Sequence, residues 1–255
     1  MQMFAQERLE HIMNILRQEG KILVKDMSQR FSLTEDCIRK DLKTLEKQGL
    51  IERIYGGAVL KKKSAYNIVI EKRKNLNPEI KKRIAKKAYQ LLNENETIFL
   101  DISTINMALA QLIVEQNLKI TVITNMVDII QILAHSQNVE IICPGGVFYR
   151  PVDGFVGTMT IEQISSYNFH KAFLGSCGVD VHTKGITTFN VEDGNTKKAI
   201  IKNSKKVYLV MENEKFFYDG VYKFGEIQAL DGIITEESPP QEISAKLQKY
   251  KIDVI

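Results

Sequence analysis

The chain has 255 residues, a formal net charge of +4, 44% hydrophobic and 26% charged residues, and only 5 prolines and 15 glycines. That composition suits a soluble two-domain protein and excludes a low-complexity chain. No apolar run approaches the ~18 residues of a membrane helix, and Met1–Arg8 holds no basic segment leading into an apolar stretch, so neither a membrane partner nor a signal peptide is expected and the expected compartment is the cytoplasm.

Cys37, Cys143 and Cys177 are far apart, as are His11, His135, His170 and His182. None has zinc-ligand spacing, so no metal and no cofactor is expected. Residues 1–63 hold 13 Lys/Arg against 9 Asp/Glu, while the remaining residues hold 22 of each. A basic module on a neutral body points to a polyanionic partner at the N-terminal end.

Three helices are expected in the first sixty residues. The first, over Gln6–Glu19, places Leu9, Ile12, Met13 and Leu16 on one face and ends at Gly20. The second runs from Val24 or Lys25 to Phe31, with Val24, Met27 and Phe31 inward. The third, Glu35–Gln48, buries Ile38, Leu42 and Leu45, is capped by Thr34, carries Glu35 and Asp36 at its positive end, and stops at Gly49. Only Ser32-Leu33-Thr34 separates the second from the third, the spacing of a helix-turn-helix. In that motif the later helix enters the major groove. Arg39, Lys40 and Lys43 project away from its apolar face; Arg39 suits a bidentate contact with guanine, the lysines phosphate or base acceptors. Leu50–Leu60, alternating and broken by Gly56-Gly57, reads as a β-hairpin or wing on which Arg53 and Tyr55 flank the duplex backbone. Lys61-Lys62-Lys63 opens a linker that includes Glu71-Lys72-Arg73. Pattern alone leaves open a three-helix interaction domain without DNA affinity.

The stretch Phe31–Glu46, then Gly49-Leu50-Ile51 and Arg53-Ile54-Tyr55-Gly56-Gly57-Ala58, resembles the N-terminal signature of the DeoR family of bacterial sugar-metabolism repressors, V-S-x-x-T-I-R-R-D-L-x-x-L-E…G-x-L…R-x-x-G-G-A. Thr34 stands where Ser is usual, Cys37 for Thr, and Lys40 for the second Arg, which keeps the charge and loses the bidentate fork. The resemblance implies double-stranded operator DNA as a partner and a DNA-binding set of Ser32, Thr34, Asp36, Arg39, Lys40, Lys43, Arg53 and Tyr55.

An amphipathic helix is expected from Pro78, with Ile80, Ile84, Ala85, Ala88, Leu91 and Leu92 in one stripe. Strand-like runs Thr97–Asp101, Lys119–Thr124, Val139–Ile142, Lys171–Leu174, Val207–Met211, Gly232–Thr235 and Ile252–Ile255 then alternate with helices to about Glu115 and Ala134, near Asn195–Lys202 and near Gln241–Lys249. This alternation predicts a mainly parallel, doubly wound α/β sheet. The expected organisation is therefore α/β: a winged helix-turn-helix domain (1–60), a linker (61–76) and a sensor domain (77–255).

In such sheets ligands sit beyond the carboxyl ends of the strands. Asp101, Ser103 and Thr104 follow one strand and open a helix able to hold a phosphate. Thr124 and Asn125 follow the next. Gly145, Gly146 and Gly175 permit close backbone approach, and Lys215 could neutralise a phosphate. The resemblance extends over roughly residues 70–255, through Arg73–Lys82, Leu100–Thr104, Thr124-Asn125, Gly145-Gly146, Val156-Gly157, Phe173–Gly178, Glu192-Asp193 with Lys197-Lys198, and Lys215-Phe216. These segments are similar to the family's sensor domain, which has the fold of ribose-5-phosphate isomerase and glucosamine-6-phosphate deaminase. The resemblance implies a phosphorylated sugar effector, with Glu192 added to the effector-binding set, and a homo-oligomer, dimer or tetramer. The family's D-x-G-T-T is here Asp101-Ile102-Ser103-Thr104-Ile105, with Gly replaced by Ser103 and one hydroxyl lost at Ile105. Glu212 stands where Asp is commoner.

Three readings stay open. One is a repressor that binds a sugar phosphate without turnover. Another is an isomerase or deaminase with an added N-terminal domain, for which Asp101 and Glu192 are the candidate acid and base. The third is a constitutive DNA-binding or architectural protein. The first, a non-enzyme, is the expected one.

Overall fold

The computed structural model describes residues 5–60, 63–64 and 73–255. Lys61, Lys62, Glu71 and Lys72 of the expected linker lie outside the described residues. The chain forms two compact units, Met1–Lys63 with Pro239–Lys249, and Ser64–Ser238 with Tyr250–Ile255.

The first unit contains α1 (Ala5–Glu19), β1 (Lys21–Leu23), α2 (Val24–Phe31), α3 (Glu35–Lys47), β2 (Ile51–Ile54) and β3 (Gly57–Leu60). The apolar stripes expected for the three helices meet in one core: Leu9, Ile12, Met13 and Leu16 of α1, Val24 and Met27 of α2, and Ile38, Leu42 and Leu45 of α3 are all buried. Phe31 packs at its margin, half-buried. The β2–β3 hairpin is antiparallel and turns at Tyr55-Gly56. A third strand, β1, pairs antiparallel with β3 and completes a three-stranded sheet. Gly57 permits this pairing, because a Cβ there would lie 2.0 Å from the Ile22 carbonyl oxygen. The helix Gln241–Lys249, expected in the larger domain, groups with this unit.

The second unit begins with β4 at Ser64, within Lys63–Ser64, and continues with α4 (Pro78–Tyr89), β5 (Thr97–Leu100), α5 (Thr104–Glu115), β6 (Ile120–Thr124), α6 (Val127–Leu133) and β7 (Val139–Ile142). A hairpin of β8 (Val147–Tyr149) and β9 (Gly154–Val156) precedes α7 (Thr158–Ser165) and β10 (Lys171–Leu174). Then come β11 (Gly178–Asp180), β12 (Gly185–Thr188), α8 (Val191–Lys202), β13 (Val207–Val210), β14 (Tyr218–Asp219), β15 (Tyr222–Glu226), β16 (Gly232–Ile234) and β17 (Asp253–Val254).

Seven strands form a parallel sheet in the order β17-β16-β13-β10-β5-β6-β7. Its central strands are nearly continuous buried apolar runs, as a sheet covered on both faces requires. The order reverses between β5 and β10: the chain winds from β5 to β7 on one side, then from β10 to β17 on the other. That reversal is the topological switch at which open α/β sheets form a crevice. An antiparallel sheet, β11-β12-β15, lies outside the parallel one and was not anticipated from the strand pattern. Helix α8 begins at Val191, four residues earlier than expected, because Asn190 caps it by accepting the Asp193 N–H at 3.0 Å.

Candidate nucleic-acid interface and ligand cleft

Helices α2 and α3 and their three-residue turn make the helix-turn-helix. Ser32 ends α2 in a left-handed conformation (φ 52°), donating its N–H to the Gln29 carbonyl, while the Leu33 N–H reaches the Ser28 carbonyl. This pair of bonds is the Schellman closure of a helix, usually built on glycine. The Ser28 hydroxyl donates to the Leu33 carbonyl at 2.6 Å, and Thr34 caps α3 by accepting the Cys37 N–H at 3.3 Å. Arg39, Lys40 and Lys43 are exposed on the side of α3 opposite its buried residues. The Arg39 guanidinium bonds Glu35 at 2.7 Å and Asp36 at 2.9 Å. Such exposed pairs hold by only about 0–1 kcal/mol, so they orient the side chain yet yield readily to a base edge or phosphate. Arg53 bonds Glu46 at 2.8 Å, fastening the wing to α3, and Tyr55 stands fully exposed at the wing tip.

In the second unit a cleft opens at the switch between β5 and β10. The loops after β5, β10 and β13 line it, through Ser103 and Thr104, Gly175 and Ser176, and Glu212 and Lys215. Ser103 is extended (φ −161°), a conformation open to any residue, so the missing glycine costs the loop nothing. Its hydroxyl caps α5 by accepting the Ile105 N–H at 3.1 Å. Gly175 lets the β10 loop approach this one, since a Cβ there would lie 3.0 Å from both the Ile102 carbonyl and the Ser103 side chain. Arg73, Lys81 and Lys215 bring positive charge to the same cleft. Lys81 is almost fully buried, and its ammonium pKa is lowered, first by burial, with Glu212 opposing and Arg73 and Lys215 adding repulsion. Cations that repel one another in a partly dry cleft favour an anion between them, and here they share the lining with the carboxylates of Asp193, Glu212 and Glu214.

Beneath the cleft, Asp101 is fully buried. Its carboxylate accepts the Gly175 N–H at 2.9 Å and the ammonium of Lys197, which also pairs with Asp193 at 3.3 Å. Burial pushes the Asp101 carboxyl up against the pull of Lys197. Burial lowers Lys197, and its two carboxylate partners more than offset this, so its pKa is raised. Asp101 thus ties the ends of β5 and β10 to α8 rather than presenting a carboxylate to the cleft.

Four expected residues from the β6 and β7 ends do not line the cleft. Thr124 caps locally, accepting the Met126 N–H at 3.2 Å, and Asn125 donates to the Phe155 carbonyl of the β8–β9 hairpin at 2.9 Å. Gly145 and Gly146 pack against α7: the Thr160 hydroxyl donates to the Gly145 carbonyl at 2.9 Å, and a Cβ on Gly146 would lie 2.1 Å from that hydroxyl. These strands fall on one side of the switch, away from the crevice. Glu192 is exposed in the first turn of α8 and outside the cleft lining; its neighbour Asp193 faces inward instead. Arg73, Lys81, Asp193 and Lys197 also line the cleft, with Ser176, Glu212 and Glu214, and none of these is in the expected set. The four-residue step from Asp193 to Lys197 places both on one helical face, a signal legible beforehand.

Residues 8–64 match the DeoR-like helix-turn-helix domain, and residues 76–237 match the DeoR C-terminal sensor domain. The chain is 32% identical to the lactose phosphotransferase system repressor of Lactococcus lactis subsp. lactis, over 94% of this chain and 95% of that protein. It is 29% identical to the glycerol-3-phosphate regulon repressor of Escherichia coli strain K12, over 97% of each. The solved ribose-5-phosphate isomerase A of Methanocaldococcus jannaschii aligns at a TM-score of 0.41 and 15% identity, covering 55% of this chain and 54% of that one. Among the described residues no helix is long and apolar enough to cross a membrane. The two matched domains lie in the order in which the helix-turn-helix and the cleft-bearing sheet occur, and the chain belongs to the DeoR family of DNA-binding transcriptional regulators.

Proposed function

We propose that the chain represses a carbohydrate-metabolism operon in the cytoplasm, and that a phosphorylated sugar bound in the cleft governs its hold on the operator. The convergence of Arg73, Lys81 and Lys215 on the crevice at the sheet's switch point carries this reading. A phosphate bridging the three would relieve their repulsion, while Thr104, Ser176 and Asp193 offer hydrogen bonds to sugar hydroxyls. On the DNA side, α3 supplies Arg39 to a base edge and Lys40 and Lys43 to the duplex, with Ser32, Thr34, Arg53 and Tyr55 flanking the backbone. A homo-oligomer presents two such helices to operator half-sites. The ligand acts by population shift, limited by its differential affinity for the two states.

Binding without turnover is favoured because Asp101 is fully buried and outside the cleft lining, its Oδ2 holding Lys197 and the Gly175 N–H, and Glu192 also lies outside the cleft. Thermal-shift titration with sugar monophosphates and their unphosphorylated sugars tests the ligand class, since a binder raises the melting temperature by mass action. Lys215→Ala should abolish the shift and spare operator binding. Equal shifts with the unphosphorylated sugars would overturn the anion seat, and product formed from a sugar phosphate would overturn the non-catalytic reading.

A further inference from the structure

We propose that the turn Arg73–Asn77 is the element through which an occupied cleft alters the DNA-binding domain; the proposal rests on the anion-seat reading above. Two neighbouring side chains of this turn serve different surroundings. Arg73 lines the cleft. Lys74 instead binds Asp128 at 2.5 Å and Asp153 at 3.6 Å, and neither acid is part of the cleft lining. The Arg73 carbonyl gathers the turn by accepting the Leu76 N–H at 3.2 Å and the Lys81 ammonium. At the other end, Asn77 is left-handed (φ 48°) and donates to Glu212 at 2.6 Å, and Glu212 also borders the cleft.

The turn is therefore fastened to the cleft at Arg73, Lys81 and Glu212, and to the body of the sheet domain at Lys74. In sequence it is the stretch by which the connection from the helix-turn-helix enters α4. An anion between Arg73, Lys81 and Lys215 recruits the ammonium that now holds the Arg73 carbonyl, and draws on the guanidinium one residue from Lys74. Lys74 and its two carboxylates resist. The relay requires that this element take a second arrangement when the cleft is filled, with the Lys74 tie opposing the change, because coupling needs an element whose equilibrium both the cleft and the DNA-binding domain bias.

The test uses the full-length protein and an operator fragment selected by the wild type from random duplexes. Inorganic phosphate and a panel of pentose and hexose monophosphates are the probes. In the wild type, the monophosphate giving the largest thermal shift should change operator Kd by about 5–150-fold. In Lys74→Met the thermal shift should persist while the change in Kd falls to near unity, and Lys74→Arg, which keeps both carboxylate partners, should restore it. Asn77→Gly, which retains the left-handed backbone and removes the Glu212 tie, should weaken the response in the same way. A full ligand response of operator Kd in Lys74→Met and Asn77→Gly would overturn the relay and leave the anion seat standing. Absence of any thermal shift in the wild type would overturn the anion seat itself, and the relay with it.

Discussion

Arg8 and Asp41, 33 positions apart, form a bidentate buried ion pair, Nε to Oδ2 at 2.6 Å and Nη2 to Oδ1 at 3.0 Å. The pair fastens the recognition helix α3 to α1 and gives a structural account of the acid in the segment Arg39-Lys40-Asp41-Leu42. Hydrogen bonding to Asp41 is also the main influence raising the Arg8 pKa. Asp41→Ala leaves a buried guanidinium without this carboxylate, which typically costs about 3–5 kcal/mol. The expected result is a lower unfolding midpoint and lost operator binding. The double variant Arg8→Met, Asp41→Leu should recover much of the stability. An unaltered midpoint in Asp41→Ala would remove the pair from the account of how α3 is held.

Arg39→Ala should weaken specific binding by roughly 1–3 kcal/mol and relax preference at one operator position. Lys43→Ala should weaken all duplexes alike and reduce the slope of log affinity against log salt by about 1. Fluorescence anisotropy on operator and scrambled duplexes at several salt concentrations separates the two roles. If Arg39→Ala lowers both affinities equally, Arg39 touches phosphate and reads no base.

Ser32 holds a left-handed backbone that glycine adopts without strain. Ser32→Gly relieves left-handed strain of roughly 1–2 kcal/mol against an unfolded-chain entropy cost of about 0.4–1 kcal/mol, so the helix-turn-helix should gain up to roughly 1 kcal/mol, measured by thermal or urea unfolding. A fall in operator affinity alongside that gain would locate the hydroxyl at the DNA backbone, and unchanged affinity would confine Ser32 to closing the helix.

Glu96 and Lys171 pair at 2.5 and 2.6 Å in a half-shielded position. Burial raises the Glu96 carboxyl, but Lys171 and Asn93 more than offset this, so its pKa is lowered from 4.5. A carboxyl whose folded pKa lies below its unfolded one stabilises fully above the unfolded value, and loses that contribution as pH falls through the folded value. Glu96→Gln should accordingly be less stable than the wild type at pH 7, with the gap closing below about pH 4. Urea unfolding across that range checks it, and a gap independent of pH would assign Glu96 a packing role only.

The helix-turn-helix was legible because its information is local. Leu9, Ile12, Met13 and Leu16, and Ile38, Leu42 and Leu45, repeat at helical spacing, and Thr34 and Gly49 mark the ends of α3. The strands of the parallel sheet were legible for the same reason, as short apolar runs between helices. Short strands such as β1 were not, since Lys21–Leu23 becomes a strand only where Gly57 admits a neighbour.

The candidate site divides along the same line. Chain order alone places Ser103, Thr104, Gly175 and Lys215 at strand ends, and those residues do border the cleft. Strand order in space decided the rest: with the reversal between β5 and β10, the loops bearing Thr124, Asn125, Gly145 and Gly146 fall to one side, and Arg73, Lys81 and Lys197 arrive from helical and connecting segments. Local periodicity determines which residues become helix or strand, because backbone geometry repeats over a few positions. Which charges share a cavity depends on contacts between residues far apart in the chain, such as Lys197 with Asp101, and only the packed sheet brings these together.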